Sequence, residues 1–459
     1  MDEGGTSEFA SVTQVTAESE AGRDGATPDV DAGQLDLFGM PVGTPASASP
    51  PAAPQAGQES ISGAARPRQA RTALIASLWE DETAADEAET DAESEAESEA
   101  EAQARTGADE AFPPTAAAPK KRHTRDVLAA EPSAEVLEIA AALPPQIHLG
   151  TSTWSFPGWK GIVYGDDYSN SKLSRDGLTA YGLHPLLRTV SIDRSFYAPL
   201  TVTDYLRYAQ QVPAHFRFIV KAPALVTDAT VRAERGEPVS LNPCFLNMQL
   251  AIDEFVRPCL EGLGAKAGAL VFQFSPLPDQ MLADPAGFIE RLAGFLSALP
   301  VLPEGTRYAV EIRDAYLLTP RFIRTLKATG VRYCVGIHAR MPDPLRQAAA
   351  LALLDGEPAG PLIVRWSLHG GFKYEQAKAK YEPFDRLVDE DPATRAALAE
   401  LAARYAIAGQ PVVIAVNNKA EGSAPLTCVK LGRAIVEAYS RLQAEAASGT
   451  PAPEAGEAV

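Results

Sequence analysis

Four side chains of this chain have the types needed for acid–base and anion chemistry. Lys221, Glu311, Arg313 and His369 each end or directly follow a short apolar run. Lysine and arginine bind the anionic oxygens of phosphates and carboxylates. A glutamate serves as a general base or a metal ligand, and a histidine as a general acid. We therefore take these four as the candidate catalytic residues.

A second group of residues in similar positions is suited to holding a ligand. Trp154, Ser155 and Tyr197 follow the first two apolar runs, and Asn417 and Asn418 follow the last one. The aromatic rings either pack in the core or form a floor for a flat or sugar-like ligand. The two asparagines either close a turn, since asparagine tolerates such backbone, or bind a ligand through their amides.

The same positions contain side chains that suit a metal. Asp193, Glu311, His338 and His369 are nitrogen and oxygen ligands of the kind that Zn²⁺ or Mn²⁺ accepts. No tight ligand spacing supports such a site, so a divalent metal is not favoured and the cofactor stays unknown. The alternative for Glu311 is an ion pair with Arg313 or Lys221.

Eight apolar, β-like segments alternate with amphipathic helical patterns from Gln146 onward. The predicted strands are Gln146–Ser152, Arg188–Ile192, Arg217–Lys221, Ala269–Phe274, Tyr308–Ile312, Tyr333–Ile337, Leu362–Ser367 and Val412–Val416. The predicted helices are Val202–Gln211, Asn247–Leu263, Pro285–Leu299, Pro320–Thr329, Pro392–Tyr405 and Leu426–Ala444.

Strict alternation of strand and helix predicts an α/β fold with parallel strands and outer helices. Eight units fit a TIM-barrel-like (β/α)8 single domain. An open doubly wound sheet is the rival, but no G-x-G-x-x-G turn follows the first strand. In a barrel the C-terminal ends of all strands meet on one face, which is where the candidate residues lie in the sequence.

The charge distribution divides the chain into three parts. Of its 41 basic and 60 acidic residues, 9 and 28 fall within residues 1–145, which therefore carry the whole net charge of −19. This Ala-, Glu- and Pro-rich stretch is predicted to be a disordered arm. Residues 146–444 form the barrel, and residues 445–459 a disordered tail. The balanced charge of the barrel gives no general sign of nucleic-acid affinity.

Two features indicate the compartment. The start of the chain lacks the basic and apolar regions of a secretory signal, and no apolar run is long enough to cross a membrane. The four cysteines are scattered without a C-x-x-C pair, which favours buried thiols in a reducing environment. We expect a cytoplasmic protein.

The motifs at the strand ends together resemble the domain-of-unknown-function 72, or YecE-like, family over residues 146–440. They are Gly150-Thr151-Ser152-x-Trp154-Ser155 with Trp159, Ser195-Phe196-Tyr197, Phe218-x-x-Lys221-Ala222-Pro223, Val310-Glu311-x-Arg313, His369-Gly370 and Asn417-Asn418-x-x-Glu421-Gly422-x-Ala424-Pro425. The resemblance implies a TIM-barrel-like fold and no particular reaction. The chain departs from the family pattern at Thr153, Ser191 and Asp193, which puts a catalytic acid on the second strand in doubt.

A short motif in the arm points to a partner. Gln34, Leu35, Leu37 and Phe38 belong to the pentapeptide Gln34–Phe38, which resembles the segment through which bacterial polymerases and repair proteins bind the DNA sliding clamp. Two apolar anchors on a polar tether suit a preformed groove, although short motifs also arise by chance. The basic island Pro119–Arg125 either contacts DNA phosphates or neutralises the acidic run Glu80–Glu101.

Two functions follow from these residues. The first is a bacterial hydrolase or lyase that acts on a phosphorylated or nucleic-acid-derived ligand and is recruited to the sliding clamp. Lys221 and Arg313 would bind the anionic oxygens, and Glu311 and His369 would transfer protons. The second is a non-catalytic accessory protein of replication or repair, which binds the clamp through its arm and a ligand through its barrel.

Overall fold

The structure, a computed structural model, describes residues 126–232, 238–355, 358–370 and 372–448. Most of the predicted arm, the Gln34–Phe38 motif, the basic island up to Arg125 and the end of the C-terminal tail lie outside these residues. The folded part begins earlier than the predicted boundary at residue 145. A helix over Ala134–Ala142 buries Val136 and Ile139, and its N-cap Ser133 accepts a hydrogen bond from the Val136 amide.

Eight parallel strands close into a barrel, as the sequence predicts. Around the barrel their order is β1-β10-β9-β8-β7-β6-β3-β2, and β4 and β5 form a separate antiparallel pair. The strands are β1 Ile147–Thr151, β2 Leu187–Ile192, β3 Arg217–Lys221, β4 Thr230–Arg232, β5 Pro238–Leu241, β6 Ala267–Gln273, β7 Arg307–Glu311, β8 Arg332–Ile337, β9 Leu362–Trp366 and β10 Val412–Val416.

Helices follow the barrel strands and cover the outside of the sheet. They are α1 Ala134–Ala142, α2 Asn170–Gly182, α3 Arg194–Tyr197, α4 Val202–Gln211, α5 Ala224–Thr227, α6 Met248–Ala251, α7 Arg257–Leu263, α8 Asp279–Leu282, α9 Pro285–Ser297, α10 Pro320–Thr329, α11 Pro344–Asp355, α12 Tyr374–Tyr381, α13 Pro392–Ile407 and α14 Ala424–Ser448. Capping residues fix the first turn of several of these helices. Thr201 and Asp204 form a capping box for α4, and Thr319 caps α10, which has Pro320 in its first turn.

The predicted helix over Asn247–Leu263 is interrupted. Its middle, Ile252–Val256, is a π-helical turn between α6 and α7. The interruption precedes Pro258, which has no amide hydrogen and whose ring clashes with the carbonyl four residues earlier. A wider turn there relieves that clash.

One glycine of the first strand is required by close packing within the barrel. A Cβ atom at Gly150 would lie 1.7 Å from the carbonyl oxygen of Thr189 on the neighbouring strand β2. Any side chain at this position would force β1 and β2 apart. The glycine of the Gly150–Ser155 motif is therefore set by the sheet, and the residues after it are the ones available for a site.

The cysteines agree with the expectation of buried thiols except at Cys244. All four cysteines are free thiols, and Cys259, Cys334 and Cys428 are buried while Cys244 is partly exposed. Within the described ranges, no helix is long and apolar enough to cross a membrane.

Candidate functional site

The side chains that point into the barrel form two layers, because inward-facing and outward-facing side chains alternate along each strand. One interior layer is apolar and includes Ile219, Val271, Ala309, Cys334 and Ile363. Successive side chains of a strand point to opposite sides, so the residue two positions on faces the interior again. Those positions hold Lys221, Gln273, Glu311, Gly336 and Arg365, which lie at the C-terminal ends of β3, β6, β7, β8 and β9.

We call the resulting cluster the polar layer; it comprises Asp193, Lys221, Gln273, Glu311, Arg313 and Arg365. Its centre is Glu311, which is fully buried. Arg313 Nη1 donates to Glu311 Oε1, and Arg365 Nη1 donates to Glu311 Oε2 at 2.8 Å. Both carboxylate oxygens of Glu311 therefore accept from guanidinium groups.

Arg365 connects the two acidic residues of the polar layer. Its Nη2 atom donates to Asp193 Oδ2 at 2.8 Å, and the other oxygen of Asp193 accepts from Ser191 Oγ at 2.6 Å. The Gln273 side-chain oxygen accepts from Arg365 Nη1 at 2.9 Å and from Arg313 Nη2 at 3.2 Å. The layer is thus one connected hydrogen-bonded network that spans β2, β6, β7 and β9.

The electrostatics of this network keep Glu311 ionised. Burial alone would raise the pKa of its carboxyl group, because the charged form loses hydration. The charges of Arg313, Arg365 and Lys221 outweigh that effect, and the pKa of Glu311 lies below its usual value. A carboxylate of this kind is a weak proton acceptor and a strong anchor for the guanidinium groups around it.

Lys221 lies in the same layer with an aromatic ring beside its amine. The lysine is 2% exposed, and its Nζ lies 3.6 Å from the ring centroid of Phe196. A cation so close to a ring face is held by the ring quadrupole. Ser195 Oγ donates to the carbonyl oxygens of Lys221 and Ile192, at 2.6 and 2.9 Å. The Ser195-Phe196-Tyr197 motif thus fixes α3 against the end of β3.

Gly336 leaves the room that the ion pairs occupy. A Cβ atom there would lie 3.1 Å from both Arg313 Nη1 and Glu311 Oε1. The neighbouring strands contribute long charged side chains, and β8 contributes none at this level. The interior of the barrel therefore fits the polar layer only with a small residue at this position.

Of the three candidates that follow the first two strands, only Trp154 lies in the core. Trp154 is buried, its Nε1 donates to the Leu173 carbonyl at 3.1 Å, and its ring meets Tyr208 edge-on at 5.2 Å. Ser155 is partly exposed. Tyr197 is also partly exposed, and its ring contacts that of Phe196 at 5.4 Å. Tyr197 is linked to the polar layer through Phe196, because the ring of Phe196 lies beside the amine of Lys221.

The two asparagines after β10 make turn contacts. The side-chain oxygen of Asn417 accepts from the Lys419 amide at 2.9 Å. That of Asn418 accepts from the Ala424 amide at 2.8 Å and so caps the start of α14. Of the two interpretations of this pair, these contacts correspond to the closing of a turn.

The two candidate histidines lie in loops, His338 after β8 and His369 after β9. His369 Nδ1 lies 2.7 Å from the Gly370 carbonyl oxygen, and its ring meets Phe372 at 5.3 Å. His338 Nδ1 accepts from the Arg340 amide at 3.3 Å. Among the described residues, no group of three or more His, Cys, Asp and Glu side chains is arranged to hold a metal ion. The convergence considered for Asp193, Glu311, His338 and His369 therefore does not occur there as a metal centre.

Sequence reasoning did not name two members of the polar layer, Arg365 and Gln273, as candidates. Arg365 is the single charged residue of the apolar strand Leu362–Trp366, and it lies two positions after the interior residue Ile363. The alternation of inward-facing and outward-facing side chains within the strand was the signal that could have placed Arg365 inside the barrel. Gln273 and Asp193 appear at predicted strand ends, and the structure joins both to Arg365.

Comparisons with known proteins place the chain in a family. The family model described as "Protein of unknown function DUF72" matches residues 148–454. A search of curated proteins found no match.

Two crystal structures of DUF72 family proteins are similar to this chain. The one from Thermotoga maritima MSB8 has 18% identity and a TM-score of 0.41, covering 65% of this chain and 99% of its own. The one from Enterococcus faecalis V583 has 14% identity and a TM-score of 0.39, covering 63% and 97%. These similarities add nothing to the family match, which by itself spans more than half of the sequence. The chain therefore belongs to the DUF72 family of proteins of unknown function.

Proposed function

We propose that the polar layer binds a small ligand through a phosphate or carboxylate group, and that the protein is a hydrolase or lyase acting on a phosphorylated or nucleic-acid-derived ligand. One observation carries the proposal. The layer contains three cationic side chains, Lys221, Arg313 and Arg365, against two carboxylates, Asp193 and Glu311. A net positive charge at the C-terminal end of a barrel suits an anionic ligand.

The roles follow from the contacts of each cation. Arg365 donates to both carboxylates of the layer, Glu311 and Asp193, whereas Arg313 donates to Glu311 and to the neutral Gln273. Arg365 therefore holds the layer together. Lys221 and Arg313 are the side chains we assign to the oxygens of the ligand, with Glu311 positioning Arg313. His369, three residues after β9, is the candidate general acid and would reach the ligand from its loop.

The non-catalytic alternative is favoured by one specific observation. Both oxygens of Glu311 accept from arginines, and its pKa is lowered. A glutamate so engaged contributes electrostatics and not proton transfer, which suits a binding protein. The two functions differ in their response to His369→Ala: an enzyme loses turnover with binding intact, while a binding protein keeps all of its measured activity.

Binding is tested by titration of the full chain with inorganic phosphate, followed by calorimetry and by thermal unfolding. We expect saturable binding that Lys221→Met weakens at least tenfold, because the charge lost lies within the site. Lys327→Met, which removes an exposed lysine of α10, is the matched control and should bind as the wild type does. Equal binding by both variants would refute the assignment.

Recruitment to the DNA sliding clamp is the second part of the proposal, and it rests on the sequence Gln34–Phe38 alone. It is tested by titrating the full chain, and its Leu37→Ala/Phe38→Ala variant, against a bacterial clamp. Micromolar binding, about −8 kcal/mol at 1 μM, that the variant loses would support it. Absence of binding by the intact chain would remove this part and leave the ligand site untouched.

A further inference from the structure

The N-terminal end of the barrel, opposite to the polar layer, is ringed by cations. Arg188 is the second residue of β2, Arg217 begins β3, Lys266 directly precedes β6 and Arg307 begins β7. These strands are consecutive neighbours in the barrel, and neighbouring strands lie about 4.8 Å apart. We call these four side chains the cationic rim.

The register of the strands places three of the rim residues, Arg188, Arg217 and Lys266, at nearly the same level. Arg217 pairs with Thr189, the residue after Arg188, and Arg307 pairs with Ala269 at the start of β6. A Cβ atom at Gly268 would lie 3.1 Å from the Cβ of Arg217, so the Arg217 side chain starts directly beside β6. Arg188, Arg217 and Lys266 thus start close together, and Arg307 lies on the next strand, opposite the third residue of β6.

The rim has no acidic partner in the described part of the chain. Its hydrogen bonds run to backbone carbonyl oxygens: Arg188 to Ala140, Arg217 to Ala214 and Phe216, Lys266 to Ala209 and Val212, and Arg307 to Thr306. No carboxylate of the described residues lies within salt-bridge distance of these four side chains. All four remain partly exposed.

A histidine beside the rim reports the positive potential. His215 is exposed, and its pKa is lowered by partial burial and by the charges of Arg188, Arg217 and Lys266. The pKa of Lys266 is lowered in turn by partial burial and by Arg217. The charges of Arg188, Arg217 and Lys266 thus act on one another or on His215, and a polyanion bound there would relieve their repulsion.

We propose that the cationic rim binds the acidic segment of this same chain, residues 80–101. That segment contains 12 Asp and Glu residues and no Lys or Arg among its 22 residues, so its charge is complementary to the rim. Twenty-four residues separate Glu101 from Asp126, where the described structure begins. A chain of that length spans at most about 80–90 Å.

This reach is more than twice the length of the longest helix, the 25 residues of α14, which spans about 38 Å. A tethered segment has an effective concentration of about millimolar, so it competes well against polyanions in solution. The interaction is independent of the ligand site, because the two lie at opposite ends of the barrel strands.

The test measures the pKa of His215 in the full chain by NMR titration, with the signal assigned through His215→Gln. One variant replaces the 12 acidic residues of 80–101 by Asn and Gln. A control variant replaces the 8 acidic residues of 1–31 instead. We expect the wild type and the control to share a His215 pKa about half a unit or more above that of the first variant. High salt should abolish the difference.

Two results would overturn the proposal. An identical His215 pKa in all three proteins would show that the acidic segment does not contact the rim, for example because it pairs with Lys120–Arg125. Binding of a labelled DNA duplex by the wild type, equal in the neutralised variant and lost in Arg217→Glu, would make the rim a nucleic-acid surface. Duplex binding that appears only after neutralisation of residues 80–101 would support the proposal.

Discussion

Replacing Arg365 by methionine tests how strongly the polar layer is coupled. Arg365 donates to Glu311 Oε2, Gln273 Oε1 and Asp193 Oδ2 at 2.8, 2.9 and 2.8 Å. Its side chain is 3% exposed and that of Glu311 is fully buried. Removing one partner of a buried ion pair leaves an uncompensated charge and costs about 3–5 kcal/mol. We expect a loss of this size in the free energy of unfolding for Arg365→Met.

Glu311→Met should cost a similar amount, because it leaves Arg313 and Arg365 without their shared carboxylate. The double variant removes opposite charges together. It should therefore lose about 1–3 kcal/mol less than the sum of the single variants. Urea unfolding of the four proteins, with unchanged m-values, measures this difference.

The more exposed pair Arg404 and Glu400 of α13, joined at 2.7 Å with side chains 55% and 27% exposed, is the matched control. A double-mutant cycle on this pair should give a coupling free energy of about 0.3–0.5 kcal/mol. Additive losses at Arg365 and Glu311, within about 0.5 kcal/mol, would refute the argument that these two side chains act as one buried unit.

Two further predictions concern stability. Gly336→Ala places a Cβ 3.1 Å from Arg313 Nη1 and Glu311 Oε1 and should lower the free energy of unfolding in urea by about 1–3 kcal/mol. Gly294→Ala, in α9 with open space around it, is the control and should raise it by about 0.5–1 kcal/mol. The opposite order of stabilities would contradict the close packing at Gly336. Burial lowers the pKa of His184 to about 4 from 6.5, so the unfolded chain binds a proton here at a higher pH than the folded protein. The free energy of unfolding therefore falls as the pH drops from about 6.5 to about 4. His184→Asn should therefore remove up to about 3 kcal/mol of the acid destabilisation over that window, and parallel stability–pH curves for the two proteins would contradict the assignment.

The strands were predictable because interior barrel strands are short apolar runs between helices. The bounds of β3, β10, α4 and α10 agree with the sequence pattern residue for residue. Other strands differ by one or two residues at their ends, where polar side chains such as Ser152 and Ser367 stay buried after the ladder stops. The antiparallel pair of β4 and β5 was missed because each strand has at most four residues, too few to show a period.

The site was predictable only in part. Lys221, Glu311 and Arg313 stand at strand ends, where polarity follows an apolar run and signals a barrel mouth. Arg365 was hidden because it lies within a strand, and only the alternation of the barrel interior shows that it faces Glu311. The roles of Asn417 and Asn418 depended on which backbone amides their side chains meet, and no spacing in the sequence specifies that.

Anomalous diffraction from crystals of the full chain soaked in tungstate tests the central claim most directly, because it locates an anion instead of inferring one. We predict a tungstate peak within hydrogen-bonding distance of Lys221 Nζ and the Arg313 guanidinium, and its disappearance in Lys221→Met crystals. A peak confined to the cationic rim at the other end of the barrel, with none at the polar layer, would contradict it.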